Sequence, residues 1–336
     1  MTVLCLHGTM AAGNKWAWQM KTNFAIRNCE NQDDLRLLQV LTAEIWSRHG
    51  PYVSLHVGDV VWRYCRHPQP LAATLFPMWF DTGGTPAAYM QYDPSGSADI
   101  AIHPDRWSCQ IEREVLSVAE RKRVESLTQT GMAGGLTVGC LDHDQRREEL
   151  LTTCGYRDTG RGAMHLIRHL NHPVEDIREC AGYEVRTVDT FENLEAMLDS
   201  SLSVPGRDRL DTDRYRRMIG AGFSPVQDVV ALDQHRNVVA ACIWWYDATN
   251  RAGELEPVGC HPEHQRRGLG RAVVCEALRL LQLSGATSAV VYTNNGNAPA
   301  LKLYESCEFQ YVATDRDFHK PLLPVTEDRA GGDSPR

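Results

Sequence analysis

Two short landmarks occur in the same order in both halves of the chain, and they constrain the fold more than any other feature. His103-Pro104-Asp105 and His261-Pro262-Glu263 each end a run of strand character, and they lie 158 residues apart. Cys154-Gly155-Tyr156 and Cys307-Glu308-Phe309 each close a segment of helical spacing, and they lie 153 residues apart. Because loops tolerate short insertions, this change of register is compatible with one structural unit repeated twice.

The patterns around the landmarks repeat as well. A strand-like run over residues 24–28 precedes a helical pattern over 31–46, and a strand-like run over 183–188 precedes one over 191–202. The polar segment 169–182, which contains a proline and a glycine, is the predicted linker. Tandem duplication is the preferred interpretation. The alternative is a pair of unrelated α+β domains whose landmarks match by chance.

We therefore expect an α+β (mixed α/β) fold with two tandem domains, each a mixed, mostly antiparallel sheet flanked by helices. The predicted domains cover residues 20–172 and 180–322, and a polar, glycine-containing tail over 323–336 is predicted to be disordered. A length of 336 residues agrees with two domains of ordinary size.

Composition excludes several classes of protein. The net charge is −8 and no Lys/Arg-rich block is present, so nucleic-acid and membrane partners are not expected. No signal peptide or spanning helix is recognisable. The 11 cysteines lack close pairs, which favours reduced thiols in a cytoplasmic protein, and the 13 histidines show no metal-ligand spacing, so no metal is expected. A tandem pair satisfies its own contacts, which favours a monomer or weak homodimer.

The strongest chemical signal is the loop 265–271, QRRGLGR, between a strand and an amphipathic helix that is expected to begin near Arg271. Free N–H groups at a helix N-terminus, with the helix dipole behind them, bind phosphate oxygens. Gly268 and Gly270 let the backbone approach a ligand closely. Positive charge comes from three arginines: Arg266, Arg267 and Arg271. The loop therefore predicts a diphosphate site.

The strand before this loop contains Pro257, which cannot donate a hydrogen bond to a neighbouring strand. A bulged or splayed strand leaves main-chain groups near Val258 and Cys260 free. An extended, amide-bearing ligand such as pantetheine can then pair with them as an additional strand does.

Strand, loop and helix resemble the acetyl-CoA-binding motif of the GNAT N-acetyltransferase superfamily, Q/R-x-x-G-x-G/A, which is matched by Gln265, Gly268 and Gly270. A second segment, 292–309, resembles the N-x-x-A-x-x-L-Y element of the family, with matches at Asn297, Ala300, Leu303 and Tyr304. The resemblance covers about residues 183–320, and Glu308 stands where the family commonly has glycine. A tandem arrangement with one degenerate half is similar to that of mycothiol synthase.

The resemblance implies acetyl-CoA as co-substrate. It also implies the residues that hold it: Val258, Gly259, Cys260, Gln265, Arg266, Arg267, Gly268, Leu269, Gly270, Arg271, Asn297 and Ala300. Tyr304 is implied as general acid for the departing thiolate, since a tyrosine of ordinary pKa is protonated at neutral pH. The alternative for Tyr304 is a tyrosine packed on the core.

A general base is needed because the attacking amine must be neutral. Glu254 and Glu256 are two residues apart on the strand, so they are expected to share a face unless a bulge intervenes. Glu256 is the first choice, and Glu254 or a water chain is the alternative. His261 and His264 are weaker candidates, because a histidine beside this loop can simply cap it or contact phosphate.

The first half lacks the motif when it is placed in register. With the 158-residue offset, the three motif positions of the loop fall on Trp107, Gln110 and Glu112, and with the 153-residue offset the position of Tyr304 falls on Leu151. Glu112 would place negative charge at the phosphate site. We expect the first half to keep the fold without the cofactor, and to be structural or to form one wall of the acceptor site.

The predicted function is transfer of an acetyl group from acetyl-CoA to a primary amine of a small molecule, by direct attack in a ternary complex. The alternatives are a non-catalytic acyl-CoA-binding sensor or interaction module, and a protein N-acetyltransferase. Two features stay open between roles. Trp244-Trp245-Tyr246 is a core cluster or a wall of the acceptor pocket, and residues 205–222 are a substrate lid or a solvated helix.

Overall fold

The computed structural model describes residues 24–174, 180–188, 194–207, 210–220 and 227–324. The predicted tail from residue 325 onward, the centre of the predicted linker and parts of the segment 205–222 lie outside the described residues. No helix within these ranges combines the length and the apolar character that crossing a bilayer requires.

The first half contributes strands and helices in alternation. Its strands are β1 (Ala25–Asn28), β2 (Pro77–Phe80), β3 (Pro86–Asp93), β4 (Ser97–Ile102), β5 (Gly134–Leu141) and β6 (Arg157–His169). Its helices are α1 (Gln32–His49), α2 (Val57–Tyr64), α3 (Leu71–Leu75), α4 (Cys109–Thr130) and α5 (Gln145–Thr153). The predicted first helix is confirmed: the Asn31 side chain accepts the Asp34 N–H at 2.9 Å and so caps α1.

The second half follows the same order. Its strands are β7 (Glu184–Thr187), β8 (Gln227–Leu232), β9 (Val238–Asp247), β10 (Ala252–Cys260), β11 (Ser288–Asn294) and β12 (Gln310–Leu322). Its helices are α6 (Leu194–Ser201), α7 (Thr212–Gly220), α8 (Leu269–Leu283) and α9 (Ala298–Ser306). Helix α8 begins at Leu269, two residues before the predicted start.

All described strands belong to one 12-stranded sheet, in the order β1-β2-β3-β4-β5-β12-β6-β11-β10-β9-β8-β7. Strands β4 and β5 are parallel, as are β10 and β11, and the other described pairs of the sheet are antiparallel. The predicted mixed, mostly antiparallel architecture is confirmed.

The last strand of each half is exchanged. Strand β12 pairs with β5, with Asp317 opposite Gly139, and β6 pairs with β11, with His165 opposite Tyr292. Strands β6 and β12 also pair with each other at the centre of the sheet. The sheet therefore runs across the predicted domain boundaries, which stay a prediction.

Both landmarks have repeated backbone geometry. His103 Nδ1 accepts the Asp105 N–H at 3.2 Å, and His261 Nδ1 accepts the Glu263 N–H at 3.3 Å, so each histidine caps a short 3-10 turn. At the second landmark the N–H of the aromatic residue donates to a carbonyl five residues earlier at 3.0 Å, in Tyr156 and again in Phe309. Both copies of each landmark thus have the same backbone hydrogen bonds, at the positions that the repeat in the sequence indicates.

Each half contains a wedge-shaped slot where its parallel strands separate. Strands β4 and β5 pair only at Ser97 and Ala98, opposite Thr137 and Val138. Strands β10 and β11 pair from Ala252 to Glu254, and β10 then continues to Cys260 without this partner. We call these openings the first-half slot and the second-half slot.

Helix α2 of the first half packs on β9 and β10 of the second half. A Cβ atom added to Gly58 would lie 2.3 Å from Trp245 Cγ, so only glycine permits this approach. Trp245 is fully buried and Trp244 nearly so, which places both in the core. One turn further along α2, the Arg214 guanidinium lies 3.9 Å from the centre of the Trp62 ring, so α7 packs on α2 and is not simply solvated.

Candidate active site

The loop that precedes α8 has the backbone of an anion site. Arg266 has a φ of 61° and Gly268 a φ of 85°, both in the left-handed region that turns successive N–H groups toward one side. Gly268 is the N-cap of α8 and supplies no side chain to the first N–H groups of the helix. These free donors fit a diphosphate, as predicted from the sequence.

The polar side chains of the loop are largely engaged in holding it. Gln265 Nε2 donates to the Cys260 carbonyl at 3.3 Å, and Arg267 Nη1 donates to the Tyr183 hydroxyl at 2.7 Å. Arg271 Nε donates to the Ser306 carbonyl at 3.3 Å. The side chains of Gln265, Arg267 and Arg271 therefore stabilise the loop, and the donors that remain for an anion are mostly its backbone N–H groups.

The second-half slot opens beside the predicted pantetheine residues. Val258, Gly259 and Cys260 pair with β9 on one side, and the register between β10 and β9 shifts between Leu255 and Val258. The bulge predicted at Pro257 is therefore present. The opposite edge of this part of β10 faces the gap left by β11, where an extended ligand can pair.

The second motif lies across the slot, on α9. The Asn297 side chain caps α9 by accepting the Ala300 N–H at 3.3 Å. Tyr304 is 6% exposed, and burial raises the pKa of its hydroxyl, with further contributions from Cys242 and Glu256. The phenol is consequently protonated at neutral pH, as a proton donor must be, and Glu256 lies within its electrostatic range.

Glu254 is completely buried and is held by the first half. Its Oε2 atom lies 3.1 Å from His56 Nδ1, which also accepts the Gly58 N–H at 3.2 Å. Burial raises the pKa of Glu254 well above its ordinary value and lowers that of His56. Glu254 is enclosed by protein on every side, so a ligand cannot reach it and it is a poor candidate for the base.

Glu256 belongs to a cluster of three carboxylates that spans the two halves. Oxygens of Asp59, Glu254 and Glu256 all lie within 4.8 Å of one another, so the two glutamates share a face as predicted. Burial, followed by the charges of Asp59 and Glu254, raises the pKa of Glu256 well above its ordinary value. A carboxylate with a raised pKa is a stronger base than a solvated one.

This carboxylate cluster has the spacing of a metal site, which the search for Cys and His patterns did not anticipate. Arg63 already supplies a positive charge, with Nη2 3.4 Å from Asp59 Oδ1. We interpret the cluster as carboxyls that share protons. Asp59 and His56 were missed from the sequence because His56 is 198 residues from Glu254, its partner.

A cavity of about 420 Å³, the central cavity, lies over the middle of the sheet beneath α2. It contains Glu256 but not Glu254, and most of its wall comes from the first half and the exchanged strands. The residues that line it include Ser54, Trp62, Arg63, Arg66, Gln91, Asp93, Asp99, Thr137, Gly139, Ala163, His165, Glu256, Tyr292, Asn294, Asp315 and Asp317. The tryptophans of β9 do not line it.

The register predicted for the first-half loop is wrong beyond Trp107. Helix α4 begins at Cys109 with Ser108 as its N-cap, so the loop is two residues shorter than its counterpart and Ser108 corresponds to Gly268. Glu112 is not at the phosphate position: it is buried and accepts from Trp107 Nε1 at 2.7 Å and Arg147 Nε at 2.5 Å. The anion site before α8 has no counterpart in the first half for another reason.

The reason is the N-cap residue of α4, Ser108. Ser108 Oγ accepts the Ile111 N–H at 3.3 Å and so occupies a donor that a phosphate would need. The first-half slot nevertheless remains, as a second cavity of about 380 Å³ lined by β4, Trp107 and the start of α5.

The second half of the chain is similar to known acetyltransferases. Residues 193–309 match the model of the acetyltransferase (GNAT) family. Mycothiol acetyltransferase of Saccharopolyspora erythraea is 31% identical over 96 residues, which are 29% of this chain and 31% of the relative. Mycothiol acetyltransferase of Saccharomonospora viridis is 38% identical over 63 residues, which are 19% of this chain and 21% of the relative. The chain thus matches a third or less of the length of these curated relatives.

Solved structures match nearly the whole chain. A GCN5-related N-acetyltransferase from Sphaerobacter thermophilus has a TM-score of 0.60 at 15% identity and covers 91% of this chain and 98% of that one. A tandem GNAT protein from the clavulanic acid biosynthesis pathway has a TM-score of 0.63 at 14% identity and covers 90% of this chain and all of that one. At these identities the likeness establishes the fold alone.

Proposed function

We propose that the chain transfers an acetyl group from acetyl-CoA to a primary amine of a small molecule, because residues 193–309 match the model of the acetyltransferase (GNAT) family. The observation that supports this most is the position of Glu256. It lies on β10 just beyond the point where β10 leaves β11, and its carboxylate lines the central cavity. One residue thus joins the proposed cofactor slot to the proposed acceptor site.

Acetyl-CoA supplies the activated acyl thioester, held by the backbone of Arg266 to Arg271 and by the open edge of Val258 to Cys260. Glu256 accepts a proton from the acceptor ammonium, so that the neutral amine can attack. Tyr304, whose pKa is raised by burial, donates a proton to the departing thiolate. Glu254, enclosed beside His56, takes no part in these proton transfers.

The first half has a defined part in this proposal. It contributes α2, which covers the carboxylate cluster, and the β4 and β5 side of the central cavity. A cavity of about 420 Å³ is of the size that a small molecule fills. The first half has no counterpart of the anion site before α8. This is compatible with a structural role, because one cofactor site in the chain is sufficient.

The test combines steady-state kinetics with calorimetry. Acetyl-CoA is titrated into the protein, and turnover is then followed with a panel of small amines and N-terminal peptides. We expect Tyr304→Phe and Glu256→Gln to lower kcat by roughly 100-fold or more while acetyl-CoA binding is retained, because general acid and base groups contribute about 10²–10⁴-fold. Glu254→Gln is the matched control and should affect kcat much less.

Three results would contradict the proposal in different ways. Cofactor binding without turnover of any amine indicates a non-catalytic acyl-CoA sensor. Turnover of peptides alone indicates a protein N-acetyltransferase. Equal loss of kcat in Glu254→Gln and Glu256→Gln would remove the distinct role of Glu256, and loss of activity after treatment with a chelator would show that the carboxylate cluster holds a metal.

A further inference from the structure

The central cavity holds more acidic than basic side chains. Five carboxylates and two arginines line it: Asp93, Asp99, Glu256, Asp315 and Asp317, with Arg63 and Arg66. Both arginines already have acidic partners within the wall. Arg63 donates to Asp99, and Arg66 Nη1 lies 3.7 Å from Asp93 Oδ2. Arg63 also attracts Glu256, and Asp315 and Asp317 are left without a balancing charge from these two arginines.

Asp315 is the more buried of the two β12 carboxylates that line the cavity. It is 9% exposed, and although Ser54 hydrogen-bonds its carboxylate and Arg147 attracts it, its Oδ1 atom has no hydrogen-bond partner. A Cβ atom on Gly139, in the neighbouring strand β5, would lie 2.7 Å from this oxygen, so the glycine leaves space for the carboxylate. Asp317 follows two residues later on β12 and lines the same cavity. A buried carboxylate with an unpaired oxygen is costly unless a ligand satisfies it.

A second unpartnered group points to a polar ligand in the same place. His165 is 2% exposed and lines the cavity, and its Nδ1 atom has no hydrogen-bond partner. Burial lowers the pKa of His165 to about 4, so it is neutral at physiological pH and does not compensate the carboxylates. A water molecule can satisfy hydrogen bonds here, but it cannot balance charge.

We infer that the acceptor carries at least two amino groups, and that the second, cationic group binds between Asp315 and Asp317 while the amine to be acetylated lies at Glu256. The inference rests on the proposed function and adds the class of acceptor: a small diamine, polyamine or amino sugar with more than one amine. Selectivity follows from the cavity, because a monoamine leaves the Asp315 carboxylate buried and unpaired.

The experiment compares matched amines. Values of kcat/KM are measured for α,ω-diamines with three to six methylene groups and for the monoamines of the same chain length. We expect at least one diamine to exceed its monoamine by tenfold or more. Asp315→Asn and Asp317→Asn should each lower that ratio about tenfold, and Asp199→Asn, an exposed residue of α6 outside the cavity, should leave it unchanged. Acetyl-CoA binding is measured for every variant.

Equal kcat/KM for diamines and monoamines, or a ratio that survives Asp315→Asn, would overturn the inference and leave the proposed function intact. Absence of turnover with every amine would overturn the proposed function instead. The site is then decided by calorimetric titration of the diamines into the intact protein. Binding that is lost in Asp315→Asn supports the cation site, and absence of binding overturns it.

Discussion

Gly270 lies in the first turn of α8, where the diphosphate of the proposed co-substrate would meet free N–H groups. A Cβ atom there would lie 3.3 Å from Leu303 Cδ2, so a longer side chain must turn toward the ligand. We expect Gly270→Gln to weaken acetyl-CoA binding several-fold by size, and Gly270→Glu to weaken it by roughly a further tenfold or more through charge. Isothermal titration measures both.

Thermal unfolding separates this effect from damage to the helix. A glutamate in the first turn interacts favourably with the helix dipole by about 0.3–1 kcal/mol, so the Glu variant should be at least as stable as the Gln variant. Equal affinities of the two variants for acetyl-CoA would show that no anion is bound at this turn.

Asp315 is expected to reduce stability above pH 6. Burial, with the charges of Asp99 and Asp317 and against the hydrogen bond of Ser54 and the charge of Arg147, raises its pKa from 3.8 to about 6. Between these values the folded state binds more protons than the unfolded state, so stability falls as pH rises. Asp315→Asn, which resembles the protonated form, should therefore be more stable at pH 8 by roughly 1–3 kcal/mol and unchanged at pH 4.

Urea unfolding at the two pH values measures this difference, with Asp199→Asn, at an exposed position of α6, as the control. A stabilised Asn variant that no longer selects diamines would show that the charge is kept for binding and not for folding. The same unfolding midpoint for both proteins at pH 8 would mean that the carboxyl is compensated in a way the described contacts do not include.

Local sequence patterns predicted the residues of the candidate site that come from the second half, but not those that come from the first half. The period of two along a strand placed Glu254 and Glu256 on one face, and the QRRGLGR loop placed the diphosphate site, because both depend on neighbours in sequence. Asp59 could not be predicted in the same way, since it reaches the glutamates only through the packing of α2. A local signal existed: His56 and Asp59 form a capping box, though histidine is an unusual N-cap.

Helix α2 is the element through which the first half acts on the site. Its N-terminal turn carries His56, Gly58 and Asp59 against β10. Gly58→Ala would bring Cβ within 2.4 Å of Glu254 Oε2 as well as onto the Trp245 ring. We expect this change to lower the free energy of unfolding by roughly 1–3 kcal/mol, as overpacking does, and to lower kcat through the displaced carboxylate cluster.

Gly296→Ala is the matched control, because nothing lies within 4 Å of its added Cβ. Differential scanning calorimetry and steady-state kinetics on both variants provide the measurements. If Gly58→Ala reduced stability but left kcat untouched, the cover formed by α2 would be structural only, and the positioning of Glu256 would depend on β10 alone.

The exchange of last strands is the property of the whole molecule that the sequence least reveals. Strands β6 and β12 have the same place in the repeated unit, so either could pair within its own half by the alternation of its side chains. Length and landmarks predicted two domains. The long-range pairing of β12 with β5 joins them into one sheet instead, and its two outer edges, β1 and β7, belong to different halves.

This topology predicts that the halves cannot be separated without unfolding. Insertion of a protease site between residues 174 and 180 allows the full-length protein to be cut after folding. Because β6 is hydrogen-bonded to β11 and β12 on its two sides, the fragments should remain together in gel filtration, at the size of a monomer, and should separate only in denaturant. Calorimetry of the uncut protein should show one cooperative transition.

Each fragment expressed alone would expose the strand edge that its partner covers, and should aggregate. Two independent transitions, or fragments that part in native buffer and stay folded, would show that the halves are separate domains and that the central cavity is a contact between them and not a consequence of one sheet.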